Sequence, residues 1–315
     1  MKFSRMSKYA WFVLAANIAV ILWGAYVRAT GSGAGCGSHW PLCNGVVLPR
    51  APQIETVIEF AHRATSGIAF ILLLILVIWI FRIYPKGHRL RFSSGMAMLF
   101  MVTEALVGAG LVLFEWVASD ASLGRAMSIV VHLINTFLLL AFLVITAWWA
   151  TGGRDIVVRM SGSSFWMIMI GLLGTIILGA SGALAALGDT LFPVDTLAEG
   201  LRQDFSTTAH FLVRLRILHP TIAVMVGFYL IATTGIITSR KGDEWVQRFG
   251  RILIITVLIQ FGAGLLNVFL LAPVWMQLVH LLIADIVWIM SILFAANVFA
   301  TSDLVTVSSK QVASP

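Results

Sequence analysis

The residues of this chain best equipped to do chemistry are histidines at corresponding places. His62, His132, His219 and His280 each lie within or beside an apolar stretch, as does His210. A neutral imidazole offers one lone pair to a metal and one N–H to an acceptor. Glu59 precedes His62 by three positions in Glu59-Phe60-Ala61-His62-Arg63, so on a helix the two side chains share a face. A carboxylate there can act as acid or base, orient water or stabilise positive charge. It also suits the bland role of a helix-start acid favoured by the dipole. Cys36 and Cys43 are the only cysteines, seven residues apart in GSGAGCGSHWPLCNG. On an oxidising side of a membrane they could close a small disulfide loop; the alternative is two unrelated thiols. Spacing alone does not separate a structural staple from a redox-active pair.

The elements that position these residues follow from composition. Of 315 residues 59% are hydrophobic and 11% charged, with mean hydropathy +0.96. Soluble domains carry about 45–50% apolar and about 25% charged residues, so a soluble enzyme, a disordered chain and a secreted disulfide scaffold are excluded. Apolar blocks of the roughly 20 residues needed to cross a bilayer fall near 9–29, 60–81, 95–114, 128–149, 165–187, 211–237, 251–271 and 277–300. The expectation is an all-α, multi-pass membrane protein of eight transmembrane helices. The first block is too long for a signal-peptide core and reads as a retained span. Lacking an Arg- and Ser-rich presequence, the chain is assigned to a bacterial plasma membrane.

The net charge of +7 is a topology signal. Lys2, Arg5, Lys8, Arg82, Lys86, Arg89, Arg91, Arg154, Arg159, Arg240, Lys241, Arg248, Arg251 and Lys310 fall on one side of the spans. Arg28, Arg50, Arg63, Arg125, Arg202, Arg214 and Arg216 fall on the other, with most of the acids. The positive-inside rule places both termini in the cytoplasm. Nucleic acid has no place in this pattern, and the lipid membrane is the expected surrounding.

The spans repeat. Ile21-Leu22-Trp23-Gly24-Ala25 in the first resembles Ile177-Leu178-Gly179-Ala180 in the fifth. Gly108-Ala109-Gly110-Leu111 and Gly262-Ala263-Gly264-Leu265 occupy the third and seventh, each followed by a span containing Val-His-Leu. Two pseudo-repeated four-helix bundles are expected: residues 1–152, a polar cytoplasmic linker 153–162, and residues 163–315. With four spans each, the halves share one orientation. Small residues in odd-numbered spans let helices approach closely.

His62, His132 and His280 are expected within about one turn of the outer start of their helices, and His219 about two turns in. One histidine per even-numbered span, two per half, makes a ligand reading stronger than four unrelated satisfied histidines, because intramembrane ionisable groups are costly. Two imidazoles from facing helices form a bis-axial site for haem iron. Zinc suits less, since each half lacks further ligands. His39 and His210 have no counterpart in the other half. Arg216 stands three before His219, where the first half has Glu59; that asymmetry suggests one reacting half and one static cofactor. Arg63, Arg214 and Arg216 are candidates to pair with haem propionates, or to snorkel. Glu104 and Asp285 serve either a proton path or a buried hydrogen bond.

Together these residues resemble the haem A synthase family: Glu59-x-x-His62-Arg63, then His132, His219 and His280 on even-numbered spans, with Cys36 and Cys43 in the first outer loop. The resemblance implies an oxidoreductase acting on a methyl group, converting the C8 methyl of haem O to the formyl of haem A for cytochrome oxidase. It implies substrate haem on His62 and His132, Glu59 as the catalytic acid or base, and haem b on His219 and His280. Cys36 and Cys43 would form a disulfide that shapes the substrate half or passes reducing equivalents. Haem O synthase would supply the substrate; the electron acceptor and a homo-oligomeric state are left open. Pro220 after His219, and the lack of cysteines in the 187–210 loop, depart from the family pattern. The competing reading is a non-enzymatic di-haem cytochrome b that transfers electrons. A transporter and a prenyltransferase rank lower, the latter because the loops carry no Asp-rich motif.

Overall fold

The structure, a computed structural model, describes residues 4–50, 52–157 and 162–300. Lys2, Arg159, Lys310 and part of the expected 153–162 linker lie outside the described residues. The helices are α1 (Arg5–Ala29), α2 (Ile54–Ile83), α3 (Arg89–Leu113), α4 (Leu123–Ala150), α5 (Ser163–Leu191), α6 (Leu197–Asp204), α7 (Phe211–Arg216), α8 (Leu218–Arg240), α9 (Glu244–Phe269) and α10 (Val274–Val298). Among the described residues eight spans result, α7 and α8 forming one, and all are long and apolar enough to cross a membrane. Side chains of Ser4, Ser122 and Asp243 cap α1, α4 and α9 by accepting from first-turn N–H groups, satisfying donors the helix itself leaves free.

Contacts close the helices into two rings. In the first, α1 meets α2, α2 meets α3, α3 meets α4 and α4 returns to α1; in the second, α5, α8, α9 and α10 do the same. The rings join where α1 and α4 meet α5 and α10. Trp288 of α10 donates to Phe137 O of α4 at 2.7 Å and stacks on the Phe137 ring at 4.9 Å. Arg28 of α1 donates to Ala186 O (2.6 Å) and Thr190 Oγ1 (2.8 Å) of α5, and to Gln277 Oε1 (2.9 Å) of α10. Lipid tails are as apolar as leucine, so this association rests on close packing and such bonds rather than on hydrophobic transfer. Many of the most deeply buried side chains, among them Leu73, Leu76, Ile80, Leu140, Leu143 and Val144, lie toward the basic end of the bundle, away from the histidines.

The helices start earlier than their apolar blocks. Ile54-Glu55-Thr56 and Leu123-Gly124-Arg125 open α2 and α4 with polar residues that hydropathy trims away. His62 is therefore eight residues past the start of α2, His132 nine past that of α4, His219 eight past Phe211 and His280 six past Val274. That corrects the single turn expected for His62, His132 and His280 and agrees with the two turns expected for His219: at 1.5 Å per residue all four sit about 9–14 Å in, at closely similar depth. The span of His219 is broken at Ile217, between α7 and α8. Pro220 has no N–H to donate to the carbonyl of Arg216, the last residue of α7, and its ring crowds that carbonyl. At the basic end Arg89 pairs with Asp155 and Arg154 with Asp243, tying the start of the linker to α3 and α9.

Candidate functional site

Each of the four imidazoles packs against a glycine on an odd-numbered span. A Cβ added at Gly24 (α1) would lie 2.9 Å from the His62 ring, at Gly182 (α5) 2.9 Å from His219, at Gly264 (α9) 3.1 Å from His280 and at Gly108 (α3) 4.0 Å from His132. The counterpart of Gly24 is thus Gly182, not the Gly179 that motif matching pairs with it; Gly179 packs on Phe137 and Leu133 of α4. Likewise the second glycine of Gly262-Ala263-Gly264, not the first, meets its histidine.

In the second ring, His219 and His280 stand with centroids 6.3 Å apart and planes 87° apart. His219 Nδ1 lies 3.2 Å from Ser181 Oγ, whose hydroxyl donates to Leu178 O at 2.8 Å. The hydroxyl proton being used, Ser181 accepts from Nδ1–H, which leaves the Nε2 lone pair of His219 available. Gln260 Nε2 stands 3.4 Å from His280 Nε2, and His280 Nδ1 is buried without a partner. Among the described residues no three His, Cys, Asp or Glu side chains converge as a metal site. A haem needs only two, because the porphyrin supplies the equatorial nitrogens. Two imidazoles bound at about 2 Å to one ion have centroids about 6 Å apart, so the spacing of the second-ring pair would suit one metal ion held between His219 and His280.

In the first ring, His62 Nδ1 is buried and unpartnered. His132 Nδ1 stands 3.0 Å from Glu104 Oε1, but its N–H points off the line, so proximity is present without a hydrogen bond. Glu104 is held by the same face of α4: Oε1 accepts from Thr136 Oγ1 and Oε2 from Asn135 Nδ2, each at 2.5 Å. Asn135 is fixed in turn by Thr103 Oγ1 (2.6 Å) and Phe100 O (2.8 Å).

Glu59 is buried and faces the cysteine loop. Its Oε2 accepts from the Cys36 backbone N–H at 2.8 Å, and its Oε1 from Arg63 at 2.5 Å (Nη2) and 3.1 Å (Nε). Arg63 also donates to His39 O (2.6 Å) and Leu42 O (2.7 Å), so Glu59 and Arg63 fasten the loop to α2. Cys36 and Cys43 form a disulfide whose residues are 0% and 2% exposed, out of reach of a thiol partner. Gly35 makes the docking possible: a Cβ there would meet the Glu55 backbone at 2.4 Å.

Arg216 is buried and engaged by two half-buried acids, Asp204 Oδ1 at the end of α6 (2.9 Å to Nε) and Asp189 Oδ1 near the end of α5 (3.3 Å). Arg214 is exposed. His210 caps α7, accepting from Leu212 N at 3.3 Å, and stacks on Phe192. Asp285 is wholly buried on α10, with both carboxyl oxygens unpartnered. Sequence reading missed Ser181, Gln260 and Arg28 as working groups. One signal was available: Glu104 precedes Gly108, and Gln260 precedes Gly264, by four residues, so each polar group shares a helix face with the glycine seating a histidine.

Residues 7–292 match the COX15-CtaA family, described as cytochrome oxidase assembly protein. Two Thermus thermophilus proteins named protoheme IX farnesyltransferase are 52% identical over 294 residues, 93% of this chain and 48% of theirs. A heme A synthase of Exiguobacterium sp. is 34% identical over 140 residues, 44% of this chain and 46% of its own length. One of Alkalihalophilus pseudofirmus is 39% identical over 110 residues, 35% and 37% respectively. These alignments span less than half the length of the curated relatives they match.

Proposed function

The chain belongs to the COX15-CtaA family of cytochrome oxidase assembly proteins, and from that premise we propose that it is a haem A synthase, oxidising the C8 methyl of haem O to the formyl of haem A. The observation that carries the reading is the paired imidazoles: one histidine per even-numbered span at similar depth, with the second-ring pair 6.3 Å apart centroid to centroid. In this reading residues 1–152 and 163–315 are repeated halves, both termini lie in the cytoplasm of a bacterium, and the cysteine end faces outward.

His62 and His132 hold the substrate haem O, and His219 and His280 hold haem b as the resident cofactor. Haem b supplies one-electron redox chemistry when bound. The protein's own contribution is placement. Gly24 and Gly182 let the helices close on the imidazoles, and Ser181 fixes the His219 tautomer. Glu59 is the acid–base candidate; it also holds the disulfide loop against α2, so that the loop forms a fixed outer wall of the substrate half. A farnesylated porphyrin partitions into the bilayer, where this bundle receives it. Arg63 is committed to Glu59 and the loop carbonyls, and Arg216 to Asp204 and Asp189; Arg214, exposed, is the propionate candidate with fewest competing partners.

The transferase name carried by the Thermus relatives belongs to proteins about twice as long as the aligned segment. The di-haem electron carrier is the reading to separate by experiment. Glu59→Ala in cells making haem O keeps haem content but accumulates haem O or a hydroxylated intermediate if the chain is a synthase. An electron carrier makes no haem A at any stage, and Glu59→Ala leaves its reduction intact.

A further inference from the structure

The two rings treat their histidines differently. In the second ring the neighbouring polar groups are neutral: the Ser181 hydroxyl stands at His219 Nδ1 and the Gln260 amide 3.4 Å from His280 Nε2, while His280 Nδ1 has no partner. In the first ring a carboxylate, Glu104, stands 3.0 Å from His132 Nδ1. This carboxylate is not a stray acid. Thr136 and Asn135 aim both of its oxygens, and Thr103 and Phe100 O fix Asn135 behind it. His132, Asn135 and Thr136 occupy positions i, i+3 and i+4 of α4, so one helix face carries the imidazole and the groups that hold its carboxylate. At the matching register of α9, four residues before the glycine that seats the histidine, the residue is Gln260.

We propose that Glu104 is a positioning residue for His132, holding its ring with Nδ1 toward the carboxylate and Nε2 toward iron, and making the first-ring haem more electron-rich than the second-ring haem. The inference rests on the assignment of His132 as an iron ligand. The physical basis is general: a carboxylate against the far nitrogen of a ligating imidazole fixes its tautomer and raises its basicity, which stabilises the oxidised metal. A neutral hydroxyl or amide does so more weakly. A small rotation of the ring would bring the His132 N–H onto the Glu104 oxygen it already adjoins. The consequence is a division of labour: the half that holds substrate is biased toward oxidation, and the half that holds the resident cofactor is biased toward accepting electrons.

The test uses the full-length protein carrying both haems, with the first-ring signal identified as the one lost in His62→Ala. Glu104→Gln replaces the carboxylate beside His132 Nδ1 by a neutral amide at nearly unchanged volume. Thr136→Val removes one bond aiming the carboxylate and guards against a folding failure in the first variant. The expected result is a bis-imidazole spectrum in both variants, a first-ring midpoint potential shifted upward, more in Glu104→Gln than in Thr136→Val, and an unmoved second-ring potential. Glu104→Gln also releases first-ring haem about tenfold more readily to apomyoglobin. Unchanged first-ring potential and retention in both variants, with wild-type bis-imidazole spectra, overturn the role of Glu104 alone. A wild-type protein with no bis-imidazole haem in the first ring overturns the ligand assignment with it.

Discussion

His219 and His280 face one another across the second ring with their planes nearly perpendicular, 87° apart at 6.3 Å between centroids. The hydrogen bond of His219 to Ser181 restrains one of these rings, and the contact with Gln260 adjoins the other. Ferric haem between perpendicular imidazoles gives a strongly anisotropic low-spin EPR signal. The second-ring haem is expected to show it, and His219→Ala to remove it. An ordinary rhombic low-spin signal from that haem, the kind that near-parallel imidazole planes give, would contradict the geometry.

The glycine seats make a prediction that does not touch a ligand. A methyl group at Gly24 would stand 2.9 Å from the His62 ring, and one at Gly182 equally close to His219. Overpacking of this kind costs about 1–3 kcal/mol. Gly182→Ala is expected to lower second-ring haem occupancy and Gly24→Ala first-ring occupancy, each with helicity unchanged by circular dichroism. Equal haem occupancy in all three proteins would show that the close approach has no bearing on ligation.

The burial of the disulfide, with Cys36 and Cys43 at 0% and 2% exposure, favours a structural staple over a redox-active pair. In folded protein it is expected to resist membrane-impermeant reductants and to open only on denaturation, read as alkylation mass shifts. Rapid labelling of Cys36 and Cys43 under native conditions would restore a redox role. Cys36→Ser with Cys43→Ser should destabilise the loop by about 2–4 kcal/mol, a range typical of native disulfides. It should also loosen Glu59, whose Oε2 is held by the Cys36 N–H.

What was legible in the sequence was what hydropathy and residue type carry. The eight spans, the even-span histidines and the neighbouring cysteines needed no coordinates. Hydropathy underestimates the depth of His62 and His132 because Glu55 and Arg125 sit within first turns that a hydropathy window discards. Glycine equivalence was misjudged for a different reason. Matching Gly179 to Gly24 compares letters, whereas the contact also depends on depth along the helix, and Gly182 lies three residues, about 4.5 Å, further along α5. Glu104 was noticed without a role, since its partners Asn135 and Thr136 are about 30 positions away on another helix. Arg216, read as a propionate partner, is occupied by Asp204 and Asp189, which only a folded outer segment brings together.

At the basic end, Asp243 caps α9 through Trp245 N (2.9 Å) and Val246 N (3.1 Å) and pairs with Arg154. Partial burial opposes its charge, but the Arg154 bond and the backbone N–H groups outweigh that and hold its carboxyl below the ordinary aspartate range. A depressed carboxyl stabilises the fold above its unfolded-state pKa, and that stabilisation is lost as pH falls through the folded-state value. Asp243→Ala is expected to cost about 1 kcal/mol near neutral pH, as for a lost N-cap. The deficit should shrink on acidification below the ordinary aspartate range. A deficit independent of pH in thermal unfolding would assign the effect to something other than this charge.

The most direct test of the account is haem extraction with mass identification from purified protein, for wild type, His62→Ala and His219→Ala expressed in cells that supply haem O. The account predicts haem b together with haem O or its oxidised products in the wild type. It predicts preferential loss of haem b in His219→Ala and no haem A in His62→Ala. Normal cofactor content and normal haem A in both variants would contradict it.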